Sequence, residues 1–253
     1  MQDRRRELID ELSKVREKVR KRIHEAILTI LMYAEQYRSH GSDFSFDLSE
    51  TLRKGVDEAL IALSDGCYKE AEDIVRRLLS LLGLEEDYDE VMEYVENRGE
   101  NGIVWAFDMH ASNLLKTMEQ FIAAGFAIGS STSLTFSNII SYMNVPESSR
   151  MWRDGVKAKI IDPNELRFGR GYQRNIVNAV TVLVQDVVNT AYSEALRAEA
   201  EEEGSEWYEI FRGSTYDCAL CDSHTGIRIP ITERILPIHP RCMCYAVFHG
   251  AEE

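Results

Sequence analysis

Four of the five cysteines, Cys218, Cys221, Cys242 and Cys244, crowd into one short stretch near the end of the chain. His224, His239 and His249 lie in the same region, as do Pro230, Pro237 and Pro240. The runs Trp207–Arg212, Ile227–Ile231 and Tyr245–Phe248 are rich in β-branched and aromatic residues, with Gly and Pro between them. They predict a small sheet. A module of under about 50 residues buries little apolar surface, so a bound metal is the expected source of its missing stability.

The spacing fits that expectation. Cys218-Ala-Leu-Cys221 is a C-x2-C knuckle, whose tight turn brings two thiolates to one point. His239 precedes Cys242 by three residues, and Cys244 follows two further on. Pro240 biases His239 toward an extended backbone. If Met243 lies in a strand, Cys242 and Cys244 face the same way. Cys218, Cys221, His239, Cys242 and Cys244 are thus five candidate donors for the four positions of a tetrahedral site. Zinc suits sulfur and imidazole donors. An all-cysteine set and a set of three cysteines with one histidine both stay open. Four protein ligands make a closed, structural site. The competing readings are a reversible disulfide or free thiols, and a catalytic cysteine with His239 as its base. His224 is read as an exposed or outer-shell residue.

The charged start, Met1 to Arg6, is not followed by an uninterrupted apolar stretch, so no secretory leader is expected. No apolar run reaches the length of a membrane span. In a reducing cytoplasm, clustered cysteines are metal ligands before they are disulfides. The net charge of −14 argues against a protein that coats nucleic acid and fits one that docks on other proteins.

Before the module the chain reads as helical. Leu8, Leu12, Val15, Val19, Ile23, Ile27 and Ile30 place one apolar stripe on a helix from about Gln2 to Tyr37. Its first part is basic, through Arg4, Arg5, Arg6, Lys14, Arg16, Lys18, Arg20, Lys21 and Arg22. That face is either solvated, with pairs such as Glu17–Lys21, or a docking arm for an acidic partner surface or DNA. Gly41 is a helix stop. A second helix is expected near Asp47 or Ser49, with Asp47 and Glu50 in a capping arrangement and Leu52, Val56, Leu60 and Leu63 inward. Gly66 is expected to interrupt it. A third helix follows from Tyr68 to Leu82, with Ile74, Leu78 and Leu81 inward and Cys67 buried at the join.

Further helices are predicted at Tyr88–Asn97, Ile103–Ala127 and Leu134–Met143, with a turn at Asn101-Gly102. Trp105, Phe107, His110, Leu114, Met118 and Phe121 are expected in the core, His110 as a core histidine. Gly125 to Ser133 lacks a phosphate-loop pattern. Pro146 and Pro163 bracket an irregular stretch, and Phe168 to Gly171 is a turn. The last helix, Tyr172 to Glu203, carries the stripe Ile176, Val180, Leu183, Val184, Val187, Ala191 and Leu196. Its acidic end opposes the helix dipole and is expected to fray. The fold class is therefore mainly α: a long-helix N-terminal region at 1–204 and a small zinc-stabilised β module at 205–253.

The stretch Thr215-Tyr-Asp217-Cys218-Ala-Leu-Cys221, then Gly226, then Pro237-Ile-His239-Pro240-Arg-Cys242-Met-Cys244, resembles the signature of the phage Mu F-type minor head, or head morphogenesis, proteins. The resemblance spans about residues 206–248. Where that family commonly has Arg before the last cysteine, this chain has Met243. The interval from the acidic residue to the first cysteine is also shorter, with Asp217 adjacent to Cys218. The resemblance implies a non-enzymatic structural protein of the virion that docks on portal and capsid proteins, with the helical region 1–204 as the partner-binding part. It would work in the host cytoplasm during assembly and then in the virion head, with one structural zinc; the basic charges of the N-terminal helix themselves add the expectation of a weak DNA contact. No enzyme domain is expected after Cys244. Two other readings compete: a zinc-bearing regulatory binding module, and a cysteine- or metal-dependent hydrolase. The hydrolase has local carboxylates in Asp217, Asp222 and Glu233, but none in an H-E-x-x-H arrangement.

Overall fold

In the computed structural model, residues 2–98, 102–145, 148–166 and 175–250 are described. The elements run α1 (Gln2–Ala34), α2 (Glu50–Leu82), α3 (Tyr88–Glu96), α4 (Gly102–Ala127), α5 (Thr132–Asn144), α6 (Arg150–Lys157), α7 (Ile176–Glu202), β1 (Ser205–Phe211), a single helical turn α8 (Ala219–Asp222), β2 (Arg228–Pro230) and β3 (Tyr245–Gly250). The fold is mainly helical with a small antiparallel C-terminal sheet. Asn101, Pro146 and the expected turn at Phe168–Gly171 lie outside the described residues, as does the start of the last helix at Tyr172. Among the described residues, no helix is long and apolar enough to cross a membrane.

The chain forms two compact units. One comprises Arg16–Tyr68 and Trp105–Thr181, and its regular elements among the described residues are all helices. Its apolar stripes point inward as their 3.6-residue period requires: Val19, Ile23, Ile27 and Ile30 of α1, Leu52, Val56, Leu60 and Leu63 of α2, and Phe107, Leu114, Met118 and Phe121 of α4 are all buried. Close approaches in this unit use small residues. A Cβ on Gly125 would sit 2.6 Å from Thr135 Oγ1, and one on Gly155 would sit 2.6 Å from Ile161 Cδ1.

Several expectations are corrected here. Gly66 does not break a helix: α2 runs through it without interruption. One glycine costs a long helix only about 1 kcal/mol, and buried Val56, Leu63 and Cys67 on either side hold the helix down. The cap of α2 is Ser49, whose Oγ accepts the Leu52 N–H at 3.1 Å, while Asp47 pairs with Arg53 at 2.6 Å. Trp105 and Leu81 are exposed, each falling off the stripe of its helix. The Pro146–Pro163 stretch contains α6, capped by Ser149, whose Oγ accepts the Trp152 N–H. On α1, Glu17 pairs with Arg20 and Lys21 with Glu25, rather than with each other.

The other unit comprises Met1–Val15, Lys69–Val104 and Val182–Glu253. The composition boundary at Gly204 is therefore not where the compact units divide. The strands start directly after Gly204, whose φ of +87° ends α7 in the left-handed region. Their inner face is apolar and needs cover, which the helices of this unit supply. The acidic end of α7 is tied down rather than frayed. Buried Arg197 pairs with Glu194 at 2.9 Å, with Glu201, and donates to the Ile231 carbonyl at 3.2 Å.

The sheet has the order β2-β1-β3, antiparallel throughout. Register places Tyr208 opposite Ile229 and Phe248, and Ile210 opposite Ala246. Those side chains face inward and form a small core with Ala200 and Ile231, flanked by Ile235, Leu236, Ile238 and Cys244. Alternation sends Trp207 to the outer face, where it stacks on His249 at 4.0 Å and under the Arg228 guanidinium at 3.9 Å.

Candidate metal centre

The structure brings all five candidate donors into one Cys/His cluster. Cys218 caps α8 and Cys221 lies within it, so the C-x2-C knuckle is one helical turn. His239 Nε2 lies 3.0 Å from Cys221 Sγ and 3.4 Å from Cys218 Sγ. Cys221 Sγ lies 4.0 Å from Cys242 Sγ. The donor atoms form two triads, each with all its members within 4.8 Å of one another: Cys218, Cys221 and His239, and Cys221, Cys242 and Cys244. Cys221 belongs to both. A tetrahedral ion with thiolate bonds of about 2.3 Å needs donor separations of roughly 3.8 Å, the scale observed here. The cluster can hold a metal ion. His224 stands outside both triads, with its Nδ1 beside the Leu220 carbonyl.

Local backbone geometry presents the donors. The Cys242 N–H donates to the His239 carbonyl at 2.9 Å, closing a turn with Pro240 and Arg241 at its centre. Arg241 has φ of +65°. Proline followed by a positive φ is the pattern of a type II turn, which usually places glycine second. This turn swings Cys242 under His239. Met243 lies before β3, not in it, yet Cys242 and Cys244 still reach the same Cys221. The imidazole is oriented from behind. Its Nδ1 is 2.8 Å from the Pro240 carbonyl, an acceptor, so Nδ1 carries the proton and the Nε2 lone pair faces Cys218 and Cys221. Metal-binding histidines are fixed in the same way.

Thiol chemistry points the same way. The Cys221 N–H donated to Cys218 holds that thiol below its usual range. Burial pushes the Cys221 and Cys244 thiols up. Bringing several thiolates together in a buried pocket is unfavourable without a cation, and a bound metal compensates their charge while releasing the thiol protons.

The supporting residues were not legible in the sequence. Arg5 donates from Nη2 to the Gly213 carbonyl at 2.9 Å and the Met243 carbonyl at 3.2 Å, with its guanidinium over the Tyr245 ring at 4.4 Å. Arg98 donates to the Pro237 carbonyl at 2.8 Å. Asn189 of α7 donates to the Cys242 carbonyl. Burial raises the Asp186 carboxyl, with Arg98 3.8 Å away and His239 opposing the shift. Gly213 is a strict requirement: a Cβ there would lie 1.5 Å from the Met243 carbonyl oxygen. These partners come from remote parts of the chain and follow no local pattern. A glycine directly after a strand was the one available hint.

Fold and site together define a mainly helical chain whose small β module carries a Cys/His cluster able to hold a metal ion. No protein-family model matches the chain, and neither a curated protein nor a solved structure does.

Proposed function

We propose that this chain is a non-enzymatic assembly protein of a phage head, of the Mu F minor head type, with one structural zinc in its C-terminal module. The observation that carries the reading is that Cys218, Cys221, His239, Cys242 and Cys244, the residues of the head-morphogenesis-like motif, form two donor triads sharing Cys221. The donor set is sulfur with one imidazole, which suits zinc. Four protein donors leave no open position for a substrate, so the ion stabilises and does not catalyse. In this reading the helices bind the portal and capsid proteins, and the module keeps its shape without a large core.

Two experiments test it. Metal analysis of the purified chain is expected to give about one zinc per chain, lost in Cys221→Ser; a metal-free wild type that keeps its fold overturns the zinc assignment. Co-purification with a portal protein is expected to depend on the helical region. Failure of any portal or capsid protein to bind, with zinc present, leaves a zinc-bearing binding module of another assembly as the better reading.

A further inference from the structure

The N-terminal segment of α1 reaches the metal centre by three routes. Arg5 donates to the carbonyls of Gly213 and Met243. Met243 stands between the ligands Cys242 and Cys244, and Gly213 packs directly on the Met243 carbonyl. Leu8 lines an apolar pocket with Leu236, Met243, Cys244 and Phe248. Leu12 offers its carbonyl to Gln185 of α7 at 3.1 Å, while Ile9 and Leu12 line a second pocket with Arg241 and Met243. Every one of these contacts lies in the compact unit that contains the module. The two Arg5 acceptors are main-chain oxygens whose positions depend on how the ligand loops are held.

We propose that residues 2–15 form a strap latched by Arg5 over the metal centre, so that metal occupancy sets whether the basic N-terminal segment is docked or released. The inference rests on the cluster holding a metal, as proposed above. With the ligand loops fixed by the ion, the Gly213 and Met243 carbonyls stay within reach of one guanidinium. When the ion leaves, Cys242, Met243 and Cys244 lose the constraint that aims those carbonyls, and the segment carrying Arg4, Arg5 and Arg6 detaches, available to an acidic surface. Linkage makes the effect reciprocal: whatever the metal adds to docking of the strap, the strap adds to metal affinity. Arg5 is thus a positioning residue that acts through two carbonyls without touching the ion, and groups of that kind typically change metal affinity by about 10–100-fold.

The test is hydrogen exchange of the full chain, zinc-loaded and chelator-stripped, with zinc content and affinity measured on the same samples. Residues 2–15 are expected to exchange at least tenfold faster after stripping. Arg5→Ala is expected to free the segment with zinc still bound, and to weaken zinc affinity by at least tenfold; Arg5→Lys, which keeps the charge but loses the planar fork, is expected to fall between. Equal protection of residues 2–15 with and without zinc overturns the strap while leaving the zinc site standing. Wild-type protection or wild-type zinc affinity in Arg5→Ala overturns it as well. Absence of bound metal in the wild type overturns both the zinc reading and the strap.

Discussion

The helical unit and the C-terminal module solve the same problem with different means. In the helical unit, large side chains such as Phe121, Leu114 and Met118 are fully buried along unbroken helices. Order there is spread over many apolar contacts, none indispensable. The module has a core of only a few residues around Tyr208, Ile210 and Ile229. Its loops are placed by single polar contacts: an imidazole aimed by one carbonyl, a turn with Arg241 in a strained conformation, and a guanidinium shared by two carbonyls. A core of many equivalent contacts degrades gradually, whereas a centre built from few directional ones is lost in one step.

The largest expected break in this comparison is Cys221→Ser, because Cys221 belongs to both donor triads. Structural zinc sites contribute about 10–16 kcal/mol in isolated zinc-finger peptides. The substitution is expected to abolish metal binding and unfold residues 205–250, with the helices of the other unit still protected in hydrogen exchange. Equal loss of protection in both regions would erase the distinction drawn here.

Gly213→Ala comes next. The new methyl overlaps the Met243 carbonyl, a backbone atom that cannot swing aside, so a loss of roughly 3 kcal/mol or more is expected, in the range of severe point mutants. Chemical denaturation followed by fluorescence in a variant that keeps Trp207 as its one tryptophan, with zinc content in parallel, checks it. Leu114→Ala sharpens the contrast from the other side. It is expected to cost about 2–5 kcal/mol by cavity formation while zinc content stays at the wild-type value. A fall in zinc content would show that the helical core supports the module.

How far these behaviours were foreseeable differs between the two regions. The stripe from Leu8 to Ile30 and the one from Leu52 to Leu63 were legible because a 3.6-residue period writes burial directly into the sequence. Gly66 misled, since a glycine signals a break only where tertiary contacts do not override its propensity. Trp105 looked like core by its size, but its position on the helix faces solvent. The clustering of the five candidate donors was legible because ligand spacing is a local pattern. Arg5, Arg98, Asn189 and Gly213 were not, because contacts between residues far apart in the chain, up to 238 positions for Arg5 and Met243, leave no local trace. The strain at Arg241 was hidden because the turn that demands it would by itself have called for glycine.

Two smaller effects complete the comparison. Arg241→Gly is expected to keep one metal per chain and to stabilise the module by about 1 kcal/mol at most, since glycine adopts positive φ without the penalty of a Cβ. A loss of metal would assign the arginine side chain a role in the centre. In the helical unit, burial holds the His110 imidazole below its usual value of 6.5, and its Nδ1 is buried without a partner. The unfolded chain then takes up the proton before the folded one does. The contribution of His110 to stability is therefore full above about pH 6.5 and is lost as the pH falls below it. His110→Phe is expected to flatten that part of the stability–pH profile; an unchanged slope would point to another group.

The Arg5 contacts also carry a consequence for synthesis. Arg5 and its acceptor Met243 are 238 positions apart in the chain. At about 5–20 residues per second, translation takes roughly 12–48 s to cover that distance. For much of that interval Arg5 is outside the ribosome while its acceptor Met243 is not yet made. Until then Arg5 is free to meet nucleic acid or a chaperone first, so its contact with Met243 forms only after the whole intervening chain has been made.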